Sequence, residues 1–358
     1  MKRHLLASLF LLFAWLAAPG FGQLPRTEAL LKDFEGRHLF YGSVLVKRGG
    51  ANLFQGAYGP HEPPYPVPRN APDSAYYLAG CGELFGGTLA MMAVEKGLMA
   101  LDEPIGTYVP AFKGRPGPRV RDLLCHASGL VGRLMHPTDK PWTKADTAAW
   151  AAEDGLAFPP GSRQAYCGSD FDVLAYALEL VAGKPYKQLL AEWIAAPLGL
   201  KHTSLGLFPE GDPALAQIYR QSDWNFWLKK TYDGSAALDV YSAPPDLAAF
   251  LEALASGRLV SKGSFDLMRT GTLPEASFTK GKGKAGLGCC LTPGGALFST
   301  GRMGGMADET AGYHALALHD PRYGLTVVLL ANKWKPDPDA LALDVVVPSI
   351  YADLGLAE

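Results

Sequence analysis

The sequence predicts an α/β sandwich assembled from both ends of the chain, with an all-helical insertion between them. Strand-like runs lie near the start and in the last third, and helical periodicity fills the middle. To bury their apolar faces, the first and last segments have to meet in one sheet. The composition allows such a core: of 358 residues, 48% are hydrophobic and 19% charged, which excludes a disordered chain. Lys and Arg number 33 against 35 Asp and Glu, a net charge of −2, so the basic excess of a nucleic-acid binder is missing. Gly 41 and Pro 28 predict abundant loops.

The elements follow in order. Lys2 and Arg3, the apolar run Leu5–Ala18 and the small residues Gly20 and Gly22 before Gln23 have the three-part grammar of a secretory signal peptide over residues 1–22. Pro19 and Gly20 break the run before it reaches membrane-spanning length, so a soluble periplasmic or secreted protein is expected after cleavage. Thr27–Arg37 reads as a helix with Leu30, Leu31 and Phe34 on one face. Gly42–Val46 and Ala51–Tyr58 read as strands joined by a hairpin at Lys47–Gly50, and His61–Pro72 as an irregular, proline-rich connection. Helices are expected over Leu84–Lys96, ended by Gly97, and over Val120–Leu124, Phe171–Ala182, Tyr186–Ala195 and Pro245–Ala255. Gly286–Leu291, Ala296–Ser299, Tyr313–Leu318 and Leu325–Ala331 read as strands, and Ala340–Tyr351 as a closing helix. The expected division is residues 23–75 and 231–358 for the sheet part and 76–230 for the helical part.

Several stretches carry more than packing. Tyr77–Phe85 opens a helix at Gly80-Cys81-Gly82-Glu83, and Gly97–Pro104 follows it. Downstream come Arg121–Leu130 (RDLLCHASGL), Phe158–Arg163 leading into Tyr166-Cys167-Gly168, Pro197–Leu200 with Thr203, and Gly301-Arg302-Met303-Gly304-Gly305. In this order the set resembles the serine β-lactamase and penicillin-binding-protein superfamily, in its class C β-lactamase-like, D-aminopeptidase and esterase branch. The likeness spans essentially residues 25–356. It implies a β-lactamase/transpeptidase-like fold, an antiparallel sheet flanked by helices plus an all-α domain.

The chemistry that the resemblance implies needs a nucleophilic Ser and a Lys three residues on, sharing one helical face so that the amine can take the hydroxyl proton. Here those places hold Gly80 and Glu83. Tyr166 keeps the proton-transfer tyrosine, Gly168 replaces an Asn, Arg302 stands where a Lys or His is expected, and Gly304 matches the third motif's glycine. No catalytic set is intact. Ser277-x-x-Lys280 is a literal match, but Gly281, Gly283 and Gly286 deny it a helix; Ser74, Ser128 and Ser169 have no Lys three residues later.

Three functions remain open. The first is an exported pseudoenzyme that holds a peptide, glycan or small molecule in a cleft lined by Cys81, Glu83, Tyr166, Cys167 and Arg302. The second is a working hydrolase or transferase using Cys81, Tyr166 or a water placed by Glu83; Cys81 sits at a helix N-terminus, where a thiolate is stabilised, although a small buried hydrophobe is the commoner fate of a free cysteine. The third is a metal- or redox-linked protein using the five cysteines, Cys81, Cys125, Cys167, Cys289 and Cys290. It allows a Cys81–Cys167 disulfide, or ligation by Cys81, Glu83, Cys167 and His126, although no metal-binding spacing occurs and neither metal nor cofactor is expected. A Glu83–Arg302 salt bridge across the empty site is a further expectation. On a strand, Cys289 and Cys290 point to opposite faces. Trp224, Phe226 and Trp227 form an aromatic cluster that reads as a packed loop or a cleft wall.

Overall fold

The computed structural model describes residues 24–59, 69–132, 142–206, 216, 235–271, 273–274, 283–303, 311–335 and 342–357. The signal segment, Ser277–Lys280, the Trp224–Trp227 cluster and Gly304 lie outside them.

The chain starts with helix α1 (Pro25–Gly36) and the hairpin β1 (Phe40–Arg48) and β2 (Ala51–Tyr58). The last third supplies β6 (Leu273–Pro274), β7 (Lys284–Ala285), β8 (Cys290–Leu291), β9 (Leu297–Met303), β10 (Ala311–Asp320) and β11 (Leu325–Trp334). They form one antiparallel sheet in the order β2-β1-β11-β10-β9-β8-β7-β6, so β11 closes the gap between chain start and chain end. Alternation sorts the side chains. Phe40, Val44 and Val46 face a core under α1 and the closing helix Val347–Asp353, whereas Leu45 faces the main core on the other side. The Asp353 carboxylate caps the start of α1, accepting from the Thr27 amide at 2.9 Å and its hydroxyl at 2.9 Å.

On the other face lie α2 (Glu83–Glu95), α3 (Val120–Leu124), α4 (Lys144–Asp154), α5 (Ser169–Ala182) and the helix Pro244–Ala255. A small sheet, β3 (Tyr76–Tyr77), β5 (Val240–Ser242) and β4 (Ser204–Leu205), joins them to the large one. Helix α4 was not anticipated from periodicity. Thr143 caps it, accepting from the Asp146 amide while Asp146 accepts from the Thr143 amide, a Thr-x-x-Asp signal that the sequence does carry. The run Gly286–Leu291 is not one strand. Gly288, at φ +73°, turns the chain against α2, where a Cβ on Gly87 would lie 2.7 Å from the Gly288 Cα. Only two facing glycines permit that contact. No helix among the described residues is long and apolar enough to cross a membrane.

Candidate active-site cleft

A tight 3₁₀ turn, Ala79–Gly82, leads into α2 and presents Gly80 to a small, partly open cavity. Ala79 takes a left-handed φ of +46°, a strained conformation for a residue with a Cβ. From the sheet side, Gly301 of β9 holds the turn. A Cβ there would lie 2.2 Å from the Leu78 carbonyl oxygen and 2.6 Å from the Gly80 nitrogen. Gly80 lines the cavity at a close-packed point. A Cβ added to it would meet the Tyr166 hydroxyl at 3.1 Å and the Thr300 carbonyl oxygen at 3.3 Å.

Beneath the turn, Glu83 is buried, and both of its oxygens are engaged. Oε2 lies 2.9 Å from His126 Nε2, and Oε1 accepts from the Tyr166 hydroxyl at 3.1 Å. The imidazole continues through Nδ1 to the buried Asp170, 3.0 Å away, and the Ser128 hydroxyl donates to the second oxygen of Asp170. His126 is thus an imidazolium clamped between two carboxylates, on a turn where its own φ is +53°. Burial alone would depress its pKa, but the Glu83 charge and the Asp170 hydrogen bond, with further help from both carboxylates, outweigh that and raise it to about 10. Burial pushes the carboxyls of Glu83 and Asp170 above the usual range, and His126 pulls both back. Burial, and then the Glu83 charge, hold the Tyr166 phenol well above its ordinary value, so it stays protonated as a donor.

The structure brings Gly80, Glu83 and Tyr166 together as expected and changes the rest. Glu83 does not pair with Arg302, because His126 and Tyr166 take its carboxylate and Arg302 is exposed on β9. Arg302 is also out of register with the cleft, and Gly304 lies outside the described residues. Ser299 and Thr300 line the cavity, and Gly301 is the close-contact glycine, so the third motif reads Ser299-Thr300-Gly301, three residues earlier, with Ser in the cationic place. Nothing local distinguishes Gly301 from Gly304 or Gly305 as the contact point. His126, which the sequence offers only as a metal ligand, is the centre of the site; its signal was the unmet need of a buried Glu83 for a cation.

Cys81 is no nucleophile in this geometry. It is fully buried, its thiol donates to the Ser299 carbonyl at 3.5 Å, and burial pushes its pKa up to about 12. Nor does it bridge to Cys167. None of the five cysteines is in a disulfide, and the Cys167 sulfur lies beside Gly132 rather than Cys81, only 2.8 Å from where a Cβ on that glycine would sit. Cys289 and Cys290 turn to opposite sides as expected: Cys289 is buried in the main core, while the half-buried Cys290 packs against the core under α1 and lines the cavity. Among the described residues no three His, Cys, Asp or Glu side chains form a metal shell, and the imagined Cys81, Glu83, Cys167 and His126 set is not assembled. Alkylation of the native protein by iodoacetamide, read by peptide mass spectrometry, is expected to spare Cys81 and Cys289 and to modify the half-buried Cys125 and Cys290 first.

Opposite the turn, Gly168 precedes α5, and a Cβ there would lie 3.7 Å from the Ala237 Cβ and 4.0 Å from the Tyr166 hydroxyl. Asp172 holds that wall, accepting from the Ala236 amide at 2.8 Å and the Ser235 hydroxyl at 2.9 Å.

Comparison with known proteins agrees with this frame. The sequence profile of the Beta-lactamase family matches residues 28–350. The D-alanyl-D-alanine-carboxypeptidase/endopeptidase AmpH of Escherichia coli K12 is 30% identical over 302 residues, covering 78% of this chain and 77% of the relative. The solved structure of EstCE1, a hydrolase with promiscuous acyltransferase activity, superposes with a TM-score of 0.76 at 21% identity, over 92% of this chain and 98% of that one. D-amino acid amidase from Ochrobactrum anthropi SV3, complexed with L-phenylalanine amide, gives a TM-score of 0.74 at 22% identity, over 93% and 99%. The β-lactamase/transpeptidase-like fold and a match along nearly the whole chain lead to one conclusion: this protein belongs to the beta-lactamase family.

Proposed function

We propose that this chain is an exported member of the family that binds its ligand in the cleft without forming an acyl-enzyme. One observation carries the reading: the residue facing the cavity where the family's nucleophile is expected is Gly80, with no side chain to attack a carbonyl. The surroundings support it. Glu83 is tied to His126 and Tyr166 instead of being poised over a hydroxyl, Tyr166 is held protonated, and Cys81 faces the core. A cleft that keeps its shape after losing its reactive atoms can still recognise what it once cleaved. The relatives' names point to peptides or amides bearing D-amino acids as the ligand class. Export rests on the residues before Gln23, from Lys2 through Gly22.

Intact-mass spectrometry of protein recovered from the periplasm or medium tests both parts. The expected mass is that of a chain starting at Gln23, unchanged after incubation with benzylpenicillin. A stoichiometric penicilloyl adduct would overturn the loss of acyl transfer, and a full-length cytoplasmic product would overturn export.

A further inference from the structure

Leu24, the first described residue, is fully buried in the core under α1. Its carbonyl accepts from the Glu28 amide at 2.9 Å, so it is the residue that starts the helix. Pro25 takes the first helical position, where no partner for its nitrogen is needed. The next two amides, of Arg26 and Thr27, donate to the Asp353 carboxylate at 3.2 and 2.9 Å. The start of α1 is therefore seated on all sides. A signal-peptidase cut beyond Leu24 would remove part of the core, and the cut that Gly20 and Gly22 favour falls directly before Gln23. Export then leaves one residue ahead of the buried anchor, and that residue is glutamine. Gln23 itself lies outside the described residues; its place at the mature terminus follows from the cut before it and the tethered Leu24 after it.

We propose that Gln23 is a modification site, at which the exported chain closes its own terminus into a pyroglutamyl lactam. The α-amine nitrogen attacks the side-chain amide carbon Cδ, and a C–N bond forms. The Cδ–Nε2 bond breaks, and ammonia leaves with the proton that the amine gives up. Atoms balance within the one residue, and no oxidant, reductant or second reactant takes part. An α-amino group titrates near neutral pH, so the uncharged, attacking form is present in the exported chain. The lactam carries no ammonium, which removes a positive charge just ahead of the positive pole of α1. It also leaves an aminopeptidase no free amine to engage. Because the next residue is Leu24, the block protects the anchor that seats α1 in its core. The inference rests on the export reading and is independent of what the cleft does.

Intact-mass spectrometry and amine labelling of the full chain recovered from the periplasm or medium test it, with Gln23→Ala as the control. The wild type is expected to be one ammonia lighter than the encoded sequence from Gln23 onward. Treated at neutral pH with an N-hydroxysuccinimide ester and then digested, it should yield no labelled N-terminal peptide. Gln23→Ala cannot cyclise and leaves every described contact in place. It should show the unmodified mass of its own sequence and a labelled terminus. A wild-type chain that starts at Gln23 with a free, labelled amine would overturn the proposal and leave export standing. A mature terminus at any other residue would do the same. A full-length, uncut chain would instead refute export and the modification together, so the mass alone tells the two failures apart.

Discussion

His126→Ala is expected to destabilise the protein by about 3–5 kcal/mol, the cost of breaking a buried ion pair by removing one partner. The imidazole is one-eighth exposed at most, with 12% of its side chain accessible, and it touches carboxylates whose side chains are 7% and 0% accessible. Without it, Glu83 and Asp170 have no other ion-pair partner among the described residues, and each must take up a proton or admit water. Urea denaturation of wild type and variant measures the loss. Adding Glu83→Gln to His126→Ala should recover part of it, since the second change removes one stranded charge; an unchanged denaturation midpoint in the single variant would show that the cluster contributes nothing. The pH dependence follows from the same geometry. The pKa of His126 is raised from 6.5 to about 10, so the stability it contributes is present in full below 6.5 and is lost as the pH rises through 10. Nuclear magnetic resonance of the imidazole is the direct check: the His126 ring should remain doubly protonated at pH 8, where an ordinary histidine is neutral.

Gly301→Ala is the second large effect, and its cause is steric. Its Cβ would fall 2.2 Å from the Leu78 oxygen, 2.4 Å from the Cys81 nitrogen and 2.6 Å from the Gly80 nitrogen, all backbone atoms that no rotamer change can move aside. Overpacking of this kind costs about 1–3 kcal/mol and more where the neighbours are rigid. Either β9 or the Ala79–Gly82 turn must retreat, so the variant is expected both to lower the melting temperature by several degrees, on the order of 4 °C, and to lose ligand binding in the cleft. Gly36→Ala is the matched control. That glycine ends α1 with nothing within 4 Å of its added Cβ, and alanine there is expected to be neutral or slightly stabilising. If both variants melted together with the wild type, the close approach of β9 to the turn would be refuted.

Much of this architecture was legible in the sequence because its signals are local. The Lys47–Gly50 hairpin, the stop at Gly97 and the alternation along Leu325–Ala331 each depend on a few neighbouring residues, and each appears where periodicity put it. Gly80, Glu83 and Tyr166 were legible for another reason, since each sits at a fixed distance from a helix start within an ordered set of motifs. The third motif was not. In a segment as rich in glycine as Gly301–Gly305, only contact with the Ala79–Gly82 turn distinguishes one glycine from the next, and that contact picks Gly301. The buried reading of Cys81 holds: one step of about 120° around the 3₁₀ turn carries its thiol from the cleft side into the core.

The order of residues alone determined that both chain ends share a sheet, that the middle is helical, and that the expected nucleophile is absent with its basic partner exchanged for an acid. Which cation answers that acid was decided only by folding. Glu83 and His126 are 43 positions apart, and His126 and Asp170 are 44. A buried carboxylate accepts whichever donor the packed helices bring within hydrogen-bonding distance, and sequence distance gives no measure of that. The same holds for the cavity lined by Gly80, Glu83 and His126, because an empty volume is a property of what surrounds it and belongs to no single stretch of chain.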